Sequence, residues 1–194
     1  MKKRIIALGL LWCLSAVMLQ AARVDTVLVR SAAMNKDVKV VYVLPDKAIG
    51  KQACPVVYLL HGYGGNARSW VQLKPELPQM ADEKGIIFVC PDGKNSWYWD
   101  SPENPAYRYE TFVTSELVKY TDGNYATIPD SKARAISGLS MGGHGALWSA
   151  IRHKDVFGAA GSMSGGVDIR PFPQNWEMNK HCLLYTSDAA DDLI

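Results

Sequence analysis

The sequence predicts an α/β fold: a mostly parallel central sheet with helices on both faces, incomplete at its C-terminal end. Three observations carry this. From Cys54 onward, short apolar runs bounded by turn residues alternate with segments of helical spacing, the pattern that builds parallel sheets. The runs CPVVYLL (54–60) and IIFVC (86–90) are continuously apolar rather than alternating, as strands covered on both faces must be. With 194 residues, 48% of them hydrophobic, the chain is long enough for one well-buried domain.

The first residues, MKKRIIALGLLWCLSAVMLQAAR, give a basic start, an apolar run to about Leu19 and small residues at Ala21 and Ala22. That is the pattern of a signal peptide over 1–22, with cleavage near Ala21 or Ala22. A membrane anchor is the alternative, but the run is short of the roughly 20 residues a span needs. Export, to the periplasm or beyond the cell, follows, with no stable anchor after cleavage. The formal net charge is +2, and removal of Lys2, Lys3 and Arg4 takes it to −1. Neither value suggests a nucleic-acid partner.

VDTVLVR (24–30) and DVKVVYVLP (37–45) read as an antiparallel pair joined by a turn. CPVVYLLHG follows as the central strand. Residues 67–84 have helical spacing broken by Pro75 and Pro78, predicting one or two short helices stopped at Gly85. After the IIFVCP strand, DGKNSWYWDSPENPAYR is a long loop rich in Pro, Asn and aromatic residues. YETFVTSELVKYTDGNY then predicts a helix ending near Gly123, ARAISG a strand, MGGHGALWSAIRHK a helix and FGAAGSMSG a further strand. Cys54 and Cys90 fall at opposite ends of neighbouring strands, too far apart for a disulfide, and read as small buried side chains.

The chemistry lies in ISGLSMGGHGA (136–146). Ser140 is the centre of a Gly-x-Ser-x-Gly pattern placed between a buried strand and a helix, the setting of a nucleophile elbow. Gly138, Gly142 and Gly143 leave room for the tight turn, and the helix N-terminus faces the charge that develops. The N–H of Met141 supplies one oxyanion donor. HGYGGN (61–66), after the earlier strand, supplies the second through Tyr63, with Gly64 as the alternative. Serine acyl chemistry of this kind needs no metal and no cofactor.

From about Val24 to Lys180, the segments LLHGYGGNARSW, PDGKNSWYWDS, TSELVKY and SGLSMGGHGAL resemble, in order, the esterase family of α/β-hydrolases. That family includes esterase D or S-formylglutathione hydrolases, tributyrin and feruloyl esterases, and mycolyltransferases. The resemblance implies an α/β-hydrolase fold, a structural role for His61, and a triad running Ser, Asp, His along the chain.

None of the four histidines suits the base. His144 is in the first turn after Ser140, His153 lies near the far end of the same helix, and His181 directly precedes an anomalous tail. Asp168 falls in a segment that resembles a loop above the site; Asp92 and Asp100 precede the serine and shape their loop. The tail CLLYTSDAADD (182–192) resembles a translated transposon-end sequencing adapter. The expected organisation is therefore a signal peptide at 1–22, the N-terminal part of a single α/β-hydrolase domain at 23–181, and a non-native 182–194. A fragment without its triad Asp and His would be slower than the intact site by a factor on the order of 10⁶.

The expected activity is an exported serine esterase acting through an acyl-enzyme on Ser140. Its substrate would be a small-molecule or carbohydrate ester, such as an acylated or feruloylated polysaccharide. Trp97, Tyr98 and Trp99 either wall such a substrate or only pack their loop. Two other readings stay open: an acyltransferase of the same family, and a catalytically dead carbohydrate-binding member.

Overall fold

The computed structural model describes residues 22–168. The expected leader up to residue 21, His181 and the 182–194 tail lie outside the described residues. The chain opens with β1 (Arg23–Ser31) and β2 (Lys36–Leu44), paired antiparallel from Arg23↔Leu44 to Ser31↔Lys36. The turn closes through Asn35 at φ 49°, a left-handed position that asparagine tolerates better than most residues. Pro45 then starts a four-residue helix, α1 (Asp46–Ile49), too short to leave a periodic signal in the sequence.

β3 (Val56–Leu60) is followed by α2 (Ser69–Leu73) and α3 (Leu77–Lys84), the two short helices expected around Pro75 and Pro78. Gly85, at φ 64°, ends α3 in the left-handed conformation that glycine adopts freely. β4 (Ile87–Pro91) leads into the long loop. The helix beyond it has three parts: α4 (Tyr109–Thr111), a π-helical turn (Phe112–Glu116) and α5 (Leu117–Asn124). β5 (Arg134–Leu139), α6 (Met141–Arg152) and β6 (Ala159–Met163) complete the described fold.

The six strands form one sheet in the order β1-β2-β4-β3-β5-β6. The pairs from β4 through β6 are parallel, while β1 and β2 are antiparallel additions. β3 is central, as its apolar run requires. Alternate strand residues enter two cores. Tyr42, Tyr58, Leu60 and Val89 pack with Phe112, Leu117 and Met141 beneath α4 to α6, whereas Val43, Leu59 and Phe88 pack with Trp70, Leu77 and Ala81 beneath α2 and α3. Helices therefore cover both faces. Cys54 and Cys90 are free and buried, and burial pushes the Cys90 thiol up to about 12.

One buried carboxylate ties the helices of the first core together. Glu110 accepts hydrogen bonds from Trp148 Nε1 (2.7 Å), Arg152 Nε (2.8 Å) and His153 Nε2 (2.8 Å). Burial alone would raise its pKa, but these donors outweigh burial and hold the carboxyl below the usual glutamate range. The unfolded chain then binds more protons than the folded one, so stability is present above the unfolded value of about 4.3 and is lost as pH falls through the lower folded value. Denaturant titrations from pH 6 to pH 3 are expected to show this loss, and Glu110→Gln to flatten it.

Candidate active site

β5 ends by delivering Ser140 into an exposed, sharply turned position at φ 54°, ψ −116°. A non-glycine residue rarely occupies such a conformation, and the surrounding packing holds it there. Ser140 N–H donates to Met163 O on β6 (2.8 Å), and Ser140 O accepts the first bond of α6 from His144 N–H (3.0 Å). Two glycines allow the turn. A Cβ on Gly138 would lie 2.2 Å from Gly142 O, and one on Gly142 would lie 2.2 Å from Leu60 O. The elbow thus sits directly against the end of β3. Met141 is the first residue of α6, where a backbone N–H has no acceptor within its own helix.

At the end of β3, His61 is 2% exposed and braces the loop. Its Nε2 accepts the N–H of Gly93 (2.9 Å), which places the ring proton on Nδ1, and Nδ1–H donates to Gly62 O (2.7 Å). Asp92 Oδ1 is 3.7 Å from Nε2, too far for a hydrogen bond. Burial of Asp92 favours its neutral form; the ammonium and N–H of Lys94 outweigh it and hold the carboxyl far below the usual range. Because Nε2 carries no proton to give, Lys94 is the effective partner, through Nζ at 2.8 Å and N–H at 3.0 Å. Gly64 N–H is donated to Asn95 Oδ1 (2.8 Å), so the alternative oxyanion donor is already engaged.

A cavity of about 230 Å³ forms over the elbow, lined by Tyr63, Trp97, Ser140, Ser164 and Gly166. It brings Ser140, Tyr63 and Trp97 together. Tyr98 and Trp99 are not in it. Tyr98 is fully buried between Gly93 and Gly145, and its hydroxyl donates to His61 O (3.2 Å). Trp99 packs edge-on to His144 (4.8 Å between ring centres) and Trp148 (5.7 Å). Both rings pack inside the loop, and of the three aromatic residues only Trp97 lines the cavity.

Among the described residues, no histidine is bonded to Ser140. His144 Nδ1–H donates to Gly166 O (2.6 Å) inside a cage of Trp97, Trp99 and Trp148, and burial lowers its pKa. His153 is held by Glu110. Asp100 accepts from Thr111 N–H (3.0 Å) and Thr111 Oγ1 (2.5 Å), and so shapes its loop. A wider cleft of about 530 Å³, lined by Thr111, Lys119 and His153, opens at the far end of α6. At about 1.5 Å per residue, that end is about 18 Å from Ser140. Ser164 and Gly166 begin the segment that, by resemblance, was expected as a loop above the site, and both line the cavity. The return of the chain from β6 over α6 brings them there, a contact that no local periodicity encodes.

The family model described as "Putative esterase" matches residues 31–192. An acetyl esterase of Caldicellulosiruptor saccharolyticus is 28% identical over 148 residues, covering 72% of this chain and 54% of the relative. The diacylglycerol acyltransferase/mycolyltransferase Ag85A of Mycobacterium gordonae is 34% identical over 155 residues, covering 75% of this chain and 43% of the relative. The structure of an S-formylglutathione hydrolase from Agrobacterium tumefaciens has a TM-score of 0.72 at 25% identity, covering 83% of this chain and 65% of that one. The chain spans about half the length of the curated relatives it matches. Among the described residues, no helix is long and apolar enough to cross a membrane. With one family matched across most of the sequence and its fold repeated in the sheet, the chain belongs to the esterase family of α/β-hydrolases.

Proposed function

We propose that this chain carries the nucleophile and oxyanion site of an exported serine esterase, and that Ser140 forms the acyl-enzyme. The observation that carries this reading is the backbone of Ser140, a non-glycine held at φ 54° and exposed in a cavity between the ends of β3 and β5. Ser140 Oγ attacks the ester carbonyl, the alcohol leaves, and the tetrahedral oxyanion takes hydrogen bonds from the N–H groups of Met141 and Tyr63. A donor of this kind contributes about 3 to 4 kcal/mol to the transition state. The base that accepts the Ser140 proton and the acid that orients it are assigned outside residues 22–168, since His61, His144 and His153 are each held by other partners.

Water resolves the acyl-enzyme in the leading reading; an alcohol would do so in a transferase, the reading favoured by the Ag85A likeness. Hydrolysis of p-nitrophenyl acetate in the presence of a sugar alcohol separates them: a hydrolase releases acetate throughout, whereas a transferase diverts acetyl to the alcohol. The dead carbohydrate-binding reading predicts sugar binding and no labelling of Ser140 by a fluorophosphonate. Trp97 is the proposed wall for the acyl or sugar group. Trp97→Ala is expected to raise KM several-fold with a smaller change in kcat; an unchanged KM would remove it from the substrate.

A further inference from the structure

Because β2 runs antiparallel to β4, its first residues emerge at the same sheet edge as the C-terminal ends of β4, β3 and β5. Asp92 N–H donates to Lys39 O (2.9 Å), joining the two strands at that edge. Here a second cavity, of about 250 Å³, is lined by Lys36, Asp37, Lys39, Asp92, Lys94 and Tyr109 among others. Ligands of parallel α/β sheets bind at this edge of the fold.

The charges in this cleft do not balance. Asp37 is shared with Arg30 (3.6 Å), and Asp92 is occupied by Lys94 (2.8 Å). Lys36 makes no ion pair among the described residues: its ammonium donates to Ala106 O (2.5 Å) and lies over the rings of Tyr109 (4.8 Å) and Tyr107 (5.1 Å). The Lys39 ammonium has no hydrogen bond or ion pair among the described residues. Burial, and then the charge of Lys94, hold the Lys36 ammonium below the usual lysine range, with Asp92 only partly offsetting them. Positive charge crowded beside a cavity, with its carboxylates already committed, is stabilised by an incoming anion.

We propose that this cleft binds an oxyanion, the carboxylate or phosphate group of an acidic substrate, through Lys36, Lys39 and Lys94. Lysine is a point charge without the fixed fork of arginine, so the cleft accepts either anion geometry. β2, which carries Lys36 and Lys39, and β5 are separated by β4 and β3, and three strand spacings place the anion about 14 Å from the nucleophile. That span suits an extended acidic ester whose charged end is anchored while its acyl group reaches Ser140. The substrate role rests on the esterase reading; the binding of an anion does not.

Calorimetric titration of the whole chain at low ionic strength tests the cleft, with inorganic phosphate, glucuronate and the neutral methyl glucoside as probes. Saturable binding of phosphate or glucuronate, and none of methyl glucoside, is expected. Tighter phosphate assigns phosphate esters to the cleft, and tighter glucuronate assigns acidic sugars. Lys39→Gln is expected to weaken binding about threefold to fivefold, and the Lys39→Gln, Lys94→Gln pair to weaken it further. Lys39 is exposed and its side chain holds no described element in place, so melting temperature should not change with it. Ser140→Ala should leave anion binding as it was. The proposal is overturned if neither anion binds, if the double variant binds as wild type, or if Ser140→Ala loses binding, which would place the anion at the N-terminus of α6. Because the readout is binding, a failed titration leaves the esterase reading standing, and an inactive enzyme leaves the cleft standing.

Discussion

Ser140→Ala is expected to abolish both p-nitrophenyl acetate hydrolysis and fluorophosphonate labelling by the intact protein, lowering kcat by a factor on the order of 10⁶. The size follows from the chemistry: without Oγ there is no acyl-enzyme, and the oxyanion donors alone act only on direct attack by water. The variant should also fold normally. Alanine at φ 54° meets the same steric conflict as serine, so the melting temperature should not move. Ser140→Gly separates the two roles of this position. It should be equally inactive but more stable by about 1 kcal/mol, because glycine relieves the left-handed backbone. Wild-type turnover in either variant would refute the nucleophile assignment; a large drop in melting temperature for alanine would mean that the side chain supports the fold instead.

Gly142→Ala is the substitution with the largest expected effect on stability. Its Cβ would lie 2.2 Å from Leu60 O and 2.7 Å from His61 O, and both obstacles are backbone that no rotamer change can clear. Relief requires α6 to move off the end of β3, at a cost of about 3 kcal/mol or more. For a chain of this size, each kcal/mol corresponds to about 2 to 4 °C, so thermal unfolding should fall by about 6 to 12 °C. Gly123→Ala is the matched control. It lies in α5 with nothing within 4 Å of its would-be Cβ, and alanine there should raise the melting temperature by a few degrees. If the two glycine variants unfolded alike, the close contact between elbow and β3 would be wrong.

The parts of this fold that were legible in the sequence are those set by local periodicity. VVYLL and IFVC are apolar without a break because each alternates between two buried cores, and that continuity placed both strands correctly. MGGHGALWSAIR announced α6 through its helical spacing, and the elbow was legible because strand, turn and helix are contiguous. Long-range returns of the chain were not legible. For Tyr98 and Trp99 the sequence left walling a substrate and packing the loop equally open; they pack, because Gly93 and Gly145, far apart in sequence, leave a slot for the Tyr98 ring. Glu110 looked like one more polar residue of an amphipathic helix; its three donors come from residues 38 to 43 positions away. The π-helical turn at Phe112–Glu116 was invisible for a related reason, since its composition does not differ from that of an α-helix.

The contact of Gly142 with the carbonyls of Leu60 and His61 also restricts how the site can move. Ser140 and the 61–66 loop, the proposed nucleophile and oxyanion loop, are carried by adjacent parallel strands, β5 and β3, and are wedged together where those strands end. No hinge can open between them without unzipping the sheet. Breathing of the cavity is left to its remaining walls, Trp97, Ser164 and Gly166, the Trp97 ring lying close against Gly166. In hydrogen exchange, the amides of Leu60 and Gly138 should therefore open only with global unfolding, while those around Trp97 and Ser164 exchange through faster local openings. Substrate would enter past a yielding rim into a catalytic seam that does not yield.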